Sequence, residues 1–128
     1  MTSELQQFVK NSFDDFSRFM ESSEINYTHS NLSRYIKTLD FIKGYLQNEP
    51  LNMLDFGTGY GWMAILIKKL FPMYNITACD QQILETVRSR LEGFKIHTVD
   101  NCTFSRCAKL PFEEKSFNVC LFLEVFDI

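Results

Sequence analysis

Apolar side chains recur at steps of three and four residues through the first part of the chain, a spacing typical of amphipathic helices. The first stripe consists of Leu5, Val9, Phe13, Phe16 and Met20, with Phe8 and Phe19 widening it. A polar stretch covers residues 21–31, and a second stripe follows at Leu32, Ile36, Leu39, Ile42 and Leu46. The pattern predicts an N-terminal helical segment, residues 1–49, whose two helices pack into a core, and Pro50 prevents the second from continuing.

From residue 50 to residue 128 the pattern changes to short apolar strands that alternate with helices. The predicted strands cover residues 51–56, 75–79, 94–99 and 117–123, and helices over residues 62–71 and 82–91 connect the first three. Pro72 ends the first of these helices, and Gly93 is placed to cap the second. Strands that alternate with helices predict an α/β fold, a doubly wound parallel sheet with right-handed crossovers.

Charge and hydropathy exclude several classes of function. The chain has 13 Lys and Arg against 16 Asp and Glu, a net charge of −3, and its longest basic run is Lys68-Lys69. Such a balance predicts no nucleic-acid partner. The apolar stretches are too short to span a bilayer, and the first seven residues lack the charged and apolar blocks of a signal peptide. We therefore expect a cytoplasmic protein with no membrane partner.

The cysteines could form disulfides or bind a metal. Without a secretory signal, reduced thiols are expected. His97, Cys102 and Cys107 lie at intervals of five residues, but structural zinc sites usually rest on closely paired ligands and the chain has no Cys-x-x-Cys pair. No metal site is predicted, and Cys79 and Cys120 are interpreted as small core residues within strands.

The candidate chemistry lies where the first two predicted strands end. The first is followed by a glycine turn, Gly57 to Gly61, with the sequence Gly-Thr-Gly-Tyr-Gly. In sheets of this kind ligands bind beyond the carboxyl ends of the strands. Gly57 and Gly59 lack a Cβ atom, so the backbone can turn sharply and approach a ligand closely. Asp80, at the end of the second strand, can accept both hydroxyls of a ribose. Together these features predict a cofactor that contains adenosine.

The details of the turn favour one type of adenosine cofactor. The dinucleotide pattern G-x-G-x-x-G requires a third glycine where this chain has Trp62, whose bulk opposes the approach of a pyrophosphate. This disfavours a nucleotide-dependent oxidoreductase, and the phosphate-binding loop G-x-x-x-x-G-K-[ST] is also absent from the sequence. Asp55, two residues before the first glycine, suits a ligand with a positively charged amino group. A cofactor that carries methionine therefore fits best.

Three blocks in the same order resemble the class I S-adenosylmethionine-dependent methyltransferases. Residues 53–61, Met-Leu-Asp-Phe-Gly-Thr-Gly-Tyr-Gly, resemble the family's first motif. Residues 76–80, Ile-Thr-Ala-Cys-Asp, are similar to its second strand with the acid that binds ribose. Residues 110–119, Leu-Pro-Phe-Glu-Glu-Lys-Ser-Phe-Asn-Val, resemble the stretch that leads into strand four, and residues 123–126 resemble the segment after it. Three ordered blocks are far more specific than one glycine motif.

The resemblance implies a set of residues that bind S-adenosyl-L-methionine. The set comprises Asp55, Phe56, Gly57, Thr58, Gly59, Gly61, Asp80, Gln81 and Cys107. Asp55 would hold the amino group, Asp80 the ribose hydroxyls, and Gln81 and Cys107 would lie near the adenine. Arg106 stands where the family often has Asp, so the contact to the adenine amino group would pass to Asp100 or to a backbone carbonyl. Asn118 also replaces a frequent Asp and would still form local hydrogen bonds.

The resemblance implies transfer of a methyl group to an acceptor, which we expect to be a small molecule or a protein. No catalytic residue is fixed by the sequence, because such transfer mainly needs positioning. His29 is a candidate base or an ordinary loop histidine, and Glu124 is a candidate to orient the substrate or to cap the next helix. The alternative function is a non-catalytic cofactor-binding or interaction module. His97 is expected on the solvent side of its strand.

The resemblance also implies the order of the strands. The family's sheet has the order 3-2-1-4-5-7-6, so residues 50–128 would form an incomplete sheet of order 3-2-1-4. The helical segment would cover one face of it or the mouth of the site. Strand four, residues 117–123, would then be a long apolar edge without Lys or Pro. We therefore expect either a fragment of a longer enzyme or self-association through strand four.

Overall fold

The computed structural model describes residues 3–102, 112 and 116–122. The chain divides into two compact units, Met1–Asn48 and Glu49–Ile128. The first unit is helical, with α1 at Ser3–Ser17, α2 at Ser22–Ser30 and α3 at Leu32–Lys43. The second contains β1 at Asn52–Phe56, α4 at Trp62–Leu70, β2 at Asn75–Cys79, α5 at Glu85–Gly93, β3 at His97–Val99 and β4 at Val119–Leu121.

The helical unit contains one helix that the hydrophobic pattern missed. Residues 21–31 were expected to interrupt the helices, but Ser22–Ser30 forms α2. Its buried positions are the polar residues Glu24 and Thr28, which lie one turn apart. Because the buried side of α2 is polar, no apolar periodicity marks it. Phe19 was also placed on the apolar stripe of α1 wrongly: it follows the end of α1 and is 82% exposed.

The four strands form a parallel sheet in the order β3-β2-β1-β4. This confirms the predicted Rossmann-like α/β fold and its strand order. The crossovers from β1 to β2 and from β2 to β3 run in the same direction across the sheet, so right-handed connections place α4 and α5 on one face. α4 was expected to be apolar on all sides, and all its residues from Trp62 to Ile67 are buried.

The other face of the sheet carries a second apolar core. Strand alternation places Leu54, Phe56 and Cys79 on this face, where they are buried together with Cys102. Val99, Phe112 and Phe117 pack against them. Burial and the neighbouring Cys102 thiol raise the pKa of the Cys79 thiol. Cys79 is therefore a protonated core residue, as predicted, and the described cysteines are free thiols.

The structure differs from the prediction in the boundaries of several elements and in the burial of Cys120. Cys120 is exposed, whereas a core position was expected. Within the described residues, β4 covers only Val119–Leu121 of the predicted strand 117–123. Cys120 pairs with Leu54 at the outer strand, so neighbours reach it from one side of the sheet only. His97 is exposed, as expected.

α5 begins three residues later than predicted. Its preceding residues are extended, and the Ile83 backbone N–H donates to Asp100 Oδ1 at 2.7 Å. This bond holds the segment before α5 against the end of β3. Gly93 is the last residue of α5 rather than a left-handed cap, and the positive φ occurs at Lys95, at 62°.

The start of β4 is tied to the start of β1. Asn118 Oδ1 accepts a hydrogen bond from the Asn52 backbone N–H at 2.9 Å, and the Asn118 N–H donates to the Asn52 carbonyl at 2.8 Å. Asn118 therefore bonds across the two strands, to a residue 66 positions away, rather than locally as expected. Among the helices of the described residues, none combines the length and apolar character needed to cross a membrane.

Candidate functional site

The glycine turn, Gly57–Gly61, connects β1 directly to α4. Gly57, Gly59 and Gly61 have φ angles of 78°, 57° and 83°. This left-handed region is strained for residues with a Cβ atom, so the alternation of glycines is what allows the chain to form this turn. The backbone N–H groups of Gly57 and Thr58 both donate to the Cys79 carbonyl, at 2.8 and 3.0 Å. The turn is therefore fixed to the end of β2.

Asp80 links the glycine turn to the cleft beside it. Its Oδ2 accepts a hydrogen bond from the Gly59 N–H at 2.9 Å, and its Oδ1 accepts one from the Gln81 N–H at 2.7 Å. The side chain is half-buried and borders a cleft of about 760 Å³. The lining residues are Asp80, Gln81, Gln82, Ile83, Asp100 and Asn101. A carboxylate has about four acceptor positions, so Asp80 keeps acceptor capacity towards this cleft.

Asp55 lies beneath the turn and is 3% exposed. Its Oδ2 accepts a hydrogen bond from Thr58 Oγ1 at 2.9 Å. Burial raises the pKa of Asp55 to about 6, the Thr58 hydroxyl opposes this shift, and the charge of Asp80 adds to it. At neutral pH the carboxylate is ionised in a poorly solvated position, where a cationic group would stabilise it.

Asp100 follows β3 and is engaged by two neighbours. Its Oδ1 accepts the Ile83 N–H, and its Oδ2 forms an ion pair with Arg88 of α5. Arg88 also donates from Nη1 to Thr98 Oγ1 at 2.8 Å. Asp100 thus connects α5 to β3, which disfavours it as the replacement contact for the adenine amino group.

The other expected site residues differ in their placement. Phe56 is a core residue whose ring packs 5.4 Å from that of Phe122, so only its backbone borders the turn. Gly61 is buried, and an added Cβ would lie 2.7 Å from Leu91 Cδ2. Gln81 is exposed beside Asp80. The candidates Cys107 and Glu124, together with Arg106, lie outside the described residues.

His29 is an exposed residue of α2 rather than of a loop. Its ring centroid lies 5.9 Å from that of Phe13, within the helical unit. This ring contact gives His29 a structural role within the helical unit, and it does not support a role as a base.

Sequence reasoning missed two arginines of α5. Arg88 reaches Asp100, whereas Arg90 donates from Nη1 to the Tyr60 carbonyl at 3.1 Å, and its guanidinium carbon lies 4.6 Å from the centre of the Trp62 ring. Two residues along a helix are about 200° apart, so these side chains point to opposite sides. In the sequence, nothing separates these two arginines from the solvated charges expected on an amphipathic helix.

Comparison with known proteins identifies the family of the second unit. Residues 54–128 match the model of the methyltransferase domain. A Ribosomal RNA small subunit methyltransferase G of Streptococcus suis is 35% identical over 60 residues, which cover 47% of this chain and 24% of the relative. Proteins of the same name from Streptococcus equi subsp. zooepidemicus and Streptococcus agalactiae are 39% and 32% identical, over 36% and 49% of this chain. The matches span only 19% and 29% of those two relatives.

These relatives correct one prediction. The expectation of no nucleic-acid partner is wrong, because the relatives are named as methyltransferases of ribosomal RNA. The prediction used a net charge of −3, which averages over all residues. Contacts with phosphate depend on where cationic side chains lie, and the net charge does not report that.

Proposed function

The chain belongs to the class I S-adenosylmethionine-dependent methyltransferase family, and from that premise we propose that it transfers a methyl group from S-adenosyl-L-methionine to RNA. The observation that carries the proposal is the bond between the Gly59 N–H and the Asp80 carboxylate, 2.9 Å long. It joins the glycine turn and the ribose-binding acid at one place, where an α/β sheet of this kind binds ligands.

Asp80 and the cleft fit the adenosine part of the cofactor. The two backbone bonds orient the Asp80 carboxylate, and its remaining acceptor positions suit the paired hydroxyls of a ribose. Gln81 follows directly and lines the same cleft of about 760 Å³, so it is our candidate for a contact with the adenine. Because Asp100 is paired with Arg88, we assign the adenine amino group to a backbone carbonyl instead.

Asp55 and Thr58 fit the amino end of the cofactor. A buried carboxylate gains stability from a cation, and the Thr58 hydroxyl already orients one of its oxygens. The left-handed backbone at Gly57 and Gly59 leaves these two positions without side chains that would block the methionine part. We therefore propose that Asp55 holds the amino group, directly or through a water molecule.

The chain's contribution to catalysis is binding and orientation. When bound, S-adenosyl-L-methionine supplies a methyl group activated by its positively charged sulfur. The glycine turn and Asp55 would hold the methionine end of such a ligand, and Asp80 would hold its ribose. Holding the ligand in one geometry converts a rare encounter into a frequent one, a large part of the acceleration in reactions of this type.

RNA of the small ribosomal subunit is the acceptor that the relatives support best. Their printed name gives this acceptor, and their matches include 47% and 49% of this chain. A small molecule or a protein as acceptor has no comparable support. A cytoplasmic location stays a prediction.

Two measurements test the proposal in sequence. Isothermal titration is expected to detect binding of S-adenosylhomocysteine and S-adenosylmethionine but not of NAD. Transfer of a labelled methyl group is then measured to small-subunit ribosomal RNA, with ribosomal protein and total small-molecule extract as matched alternatives. Incorporation into the RNA alone supports the full proposal. Cofactor binding without transfer to any acceptor would instead favour a non-catalytic binding module.

A further inference from the structure

In one peptide of the glycine turn, both polar groups, the N–H and the carbonyl, form hydrogen bonds. In the peptide that joins Tyr60 to Gly61, the N–H belongs to Gly61 and donates to the Thr58 carbonyl at 2.8 Å. The carbonyl belongs to Tyr60 and accepts a hydrogen bond from Arg90 Nη1 at 3.1 Å. The first bond closes the turn on itself, whereas the second ties it to α5. Together they determine the orientation of the peptide plane.

The same arginine also contacts the first residue of α4. Its guanidinium lies over the ring of Trp62, 4.6 Å from the ring centre, which is within the range of a cation–π interaction. Trp62 is 4% exposed and Arg90 is half-buried, so solvent weakens this contact less than it would at an exposed position. Arg90 therefore bridges the last peptide of the turn and the beginning of the helix that follows.

α5 approaches the turn closely enough for this bridge because of Gly61. A Cβ atom there would lie 2.7 Å from Leu91 Cδ2, the residue that follows Arg90. Leu91 is fully buried against this position, which fixes α5 and the direction of its arginine. A side chain at Gly61 would push α5 away, in addition to the strain of a φ of 83°.

We propose that Arg90 is a positioning residue for the cofactor, acting through the glycine turn. The inference rests on the proposed function, because the turn is the part of the site assigned to the methionine end. Without Arg90 the Tyr60 carbonyl loses the bond that ties this peptide to α5, and the turn samples orientations of the peptide that do not bind. Asp80 keeps its hydrogen bond from the Gln81 N–H, which lies outside the turn, so the ribose end of the site depends on Arg90 less than the methionine end does.

The test compares two probes that differ in their amino-acid part. S-adenosylhomocysteine contains it, and 5′-methylthioadenosine lacks it. Arg90→Gln is expected to weaken binding of S-adenosylhomocysteine about tenfold, the size of effect typical of a lost charge-assisted hydrogen bond. Binding of methylthioadenosine should change less than about threefold, since its contacts are those of Asp80 and the cleft. A purely structural role for Arg90 would weaken both probes alike.

Three further variants make the test independent of folding defects. Arg90→Lys keeps a cationic donor but loses the planar guanidinium over Trp62, so it is expected to recover part of the affinity for S-adenosylhomocysteine. Ser89→Ala changes an exposed neighbour on the same helix, and Arg18→Gln removes an equal charge from the helical unit; both should bind like the unaltered chain. Trp62 is the only tryptophan, so its emission should differ in Arg90→Gln without any ligand.

The outcomes separate the inference from the function on which it rests. Equal weakening of both probes in Arg90→Gln, unchanged affinity for S-adenosylhomocysteine, or no recovery in Arg90→Lys overturns the role of Arg90 and leaves the proposed function standing. If the unaltered chain binds neither probe, the proposed function fails and the inference fails with it.

Discussion

The ends of β2 and β3 each carry an aspartate, and the two carboxylates have opposite surroundings. Among the described residues, Asp80, after β2, accepts hydrogen bonds from the backbone N–H groups of Gly59 and Gln81. Asp100, after β3, forms an ion pair with Arg88 and accepts the Ile83 N–H. Within the part of the chain that the structure describes, the first carboxylate is oriented without a cationic partner, whereas the second is neutralised by Arg88.

These surroundings determine which of the two aspartates is suited to bind a ligand. An oriented carboxylate without a cation keeps its negative charge and its lone pairs for hydroxyl donors. A carboxylate paired with an arginine still has acceptor positions, but its charge is already compensated, so a new contact with a hydroxyl donor stabilises it less. Position at the carboxyl edge of the sheet is therefore not enough to make an aspartate a binding residue.

Gly59→Val should have the largest effect on the cofactor. A β-branched residue at a φ of 57° is strained, and its side chain adds bulk to the turn that we propose to bind the methionine part. We expect titration calorimetry to detect no binding of S-adenosylhomocysteine. Gly93→Val is the matched control, because a Cβ there meets nothing within 4 Å. Retained binding in Gly59→Val would place the cofactor elsewhere.

Asp80→Ala should have the next largest effect. Loss of two charge-assisted hydrogen bonds to ribose hydroxyls corresponds to about 2–4 kcal/mol, or about 30- to 1,000-fold in affinity. Because Asp80 also accepts the Gly59 N–H, part of the loss comes from a less ordered turn. Titration with S-adenosylhomocysteine measures the effect, and circular dichroism confirms that the variant is folded. Unchanged affinity would remove Asp80 from the site.

The sequence predicted the sheet and the glycine turn well, because both depend on local signals. Apolar runs of strand length and glycines at alternate positions specify β1 and the left-handed backbone after it. The sequence did not predict α2, whose buried residues Glu24 and Thr28 are polar, or the late start of α5. The buried side of α2 carries no apolar pattern, and the segment before α5 is held by the bond from Ile83 to Asp100, a residue distant along the chain.

The residues of the candidate site also fall into those that the sequence identified and those that it did not. The acids and glycines were identified from spacing and from resemblance, and their geometry is compatible with the roles proposed. The contributions of Arg88 and Arg90 could not be assigned from the sequence, because a half-buried arginine on an amphipathic helix resembles any solvated charge. Only the three-dimensional structure distinguishes the arginine that neutralises Asp100 from the one that holds the turn.

The acidity of Asp55 predicts a smaller, pH-dependent effect. With its pKa raised to about 6 by burial, Asp55 is ionised at pH 7.5 and largely neutral at pH 5. If the ionised form holds the amino group, affinity for S-adenosylhomocysteine should fall as the pH decreases through 6. Asp55→Asn should bind about tenfold more weakly at pH 7.5 and should lose this pH dependence. Parallel pH profiles in both proteins would exclude Asp55 as the titrating group.

The raised pKa of Asp55 affects the free energy of unfolding in the opposite direction: folding is favoured at low pH, whereas cofactor binding is favoured at high pH. The folded state binds the proton of Asp55 more tightly than the unfolded state, whose pKa is about 4. The stabilisation of the protonated form is present below pH 4 and is lost as the pH rises through 6. At pH 7.5 Asp55→Asn is therefore expected to raise the free energy of unfolding without ligand by about 1–2 kcal/mol. Urea denaturation of both proteins at pH 5 and 7.5 measures the difference.

Asp100→Ala should change cofactor affinity least, although it makes the same substitution as Asp80→Ala on the neighbouring strand. It removes the partner of Arg88, whose side chain is 24% exposed, and leaves the Ile83 N–H without its acceptor. Both losses act on the attachment of α5 to β3, and partial exposure reduces their cost. We expect about 1–2 kcal/mol less stability, a decrease of several degrees in melting temperature. Affinity for S-adenosylhomocysteine should stay within about threefold, because Asp80 keeps both of its backbone bonds. An Asp100→Ala variant that binds as weakly as Asp80→Ala would show that the ion pair shapes the binding site itself, and the two carboxylates would then form one functional unit.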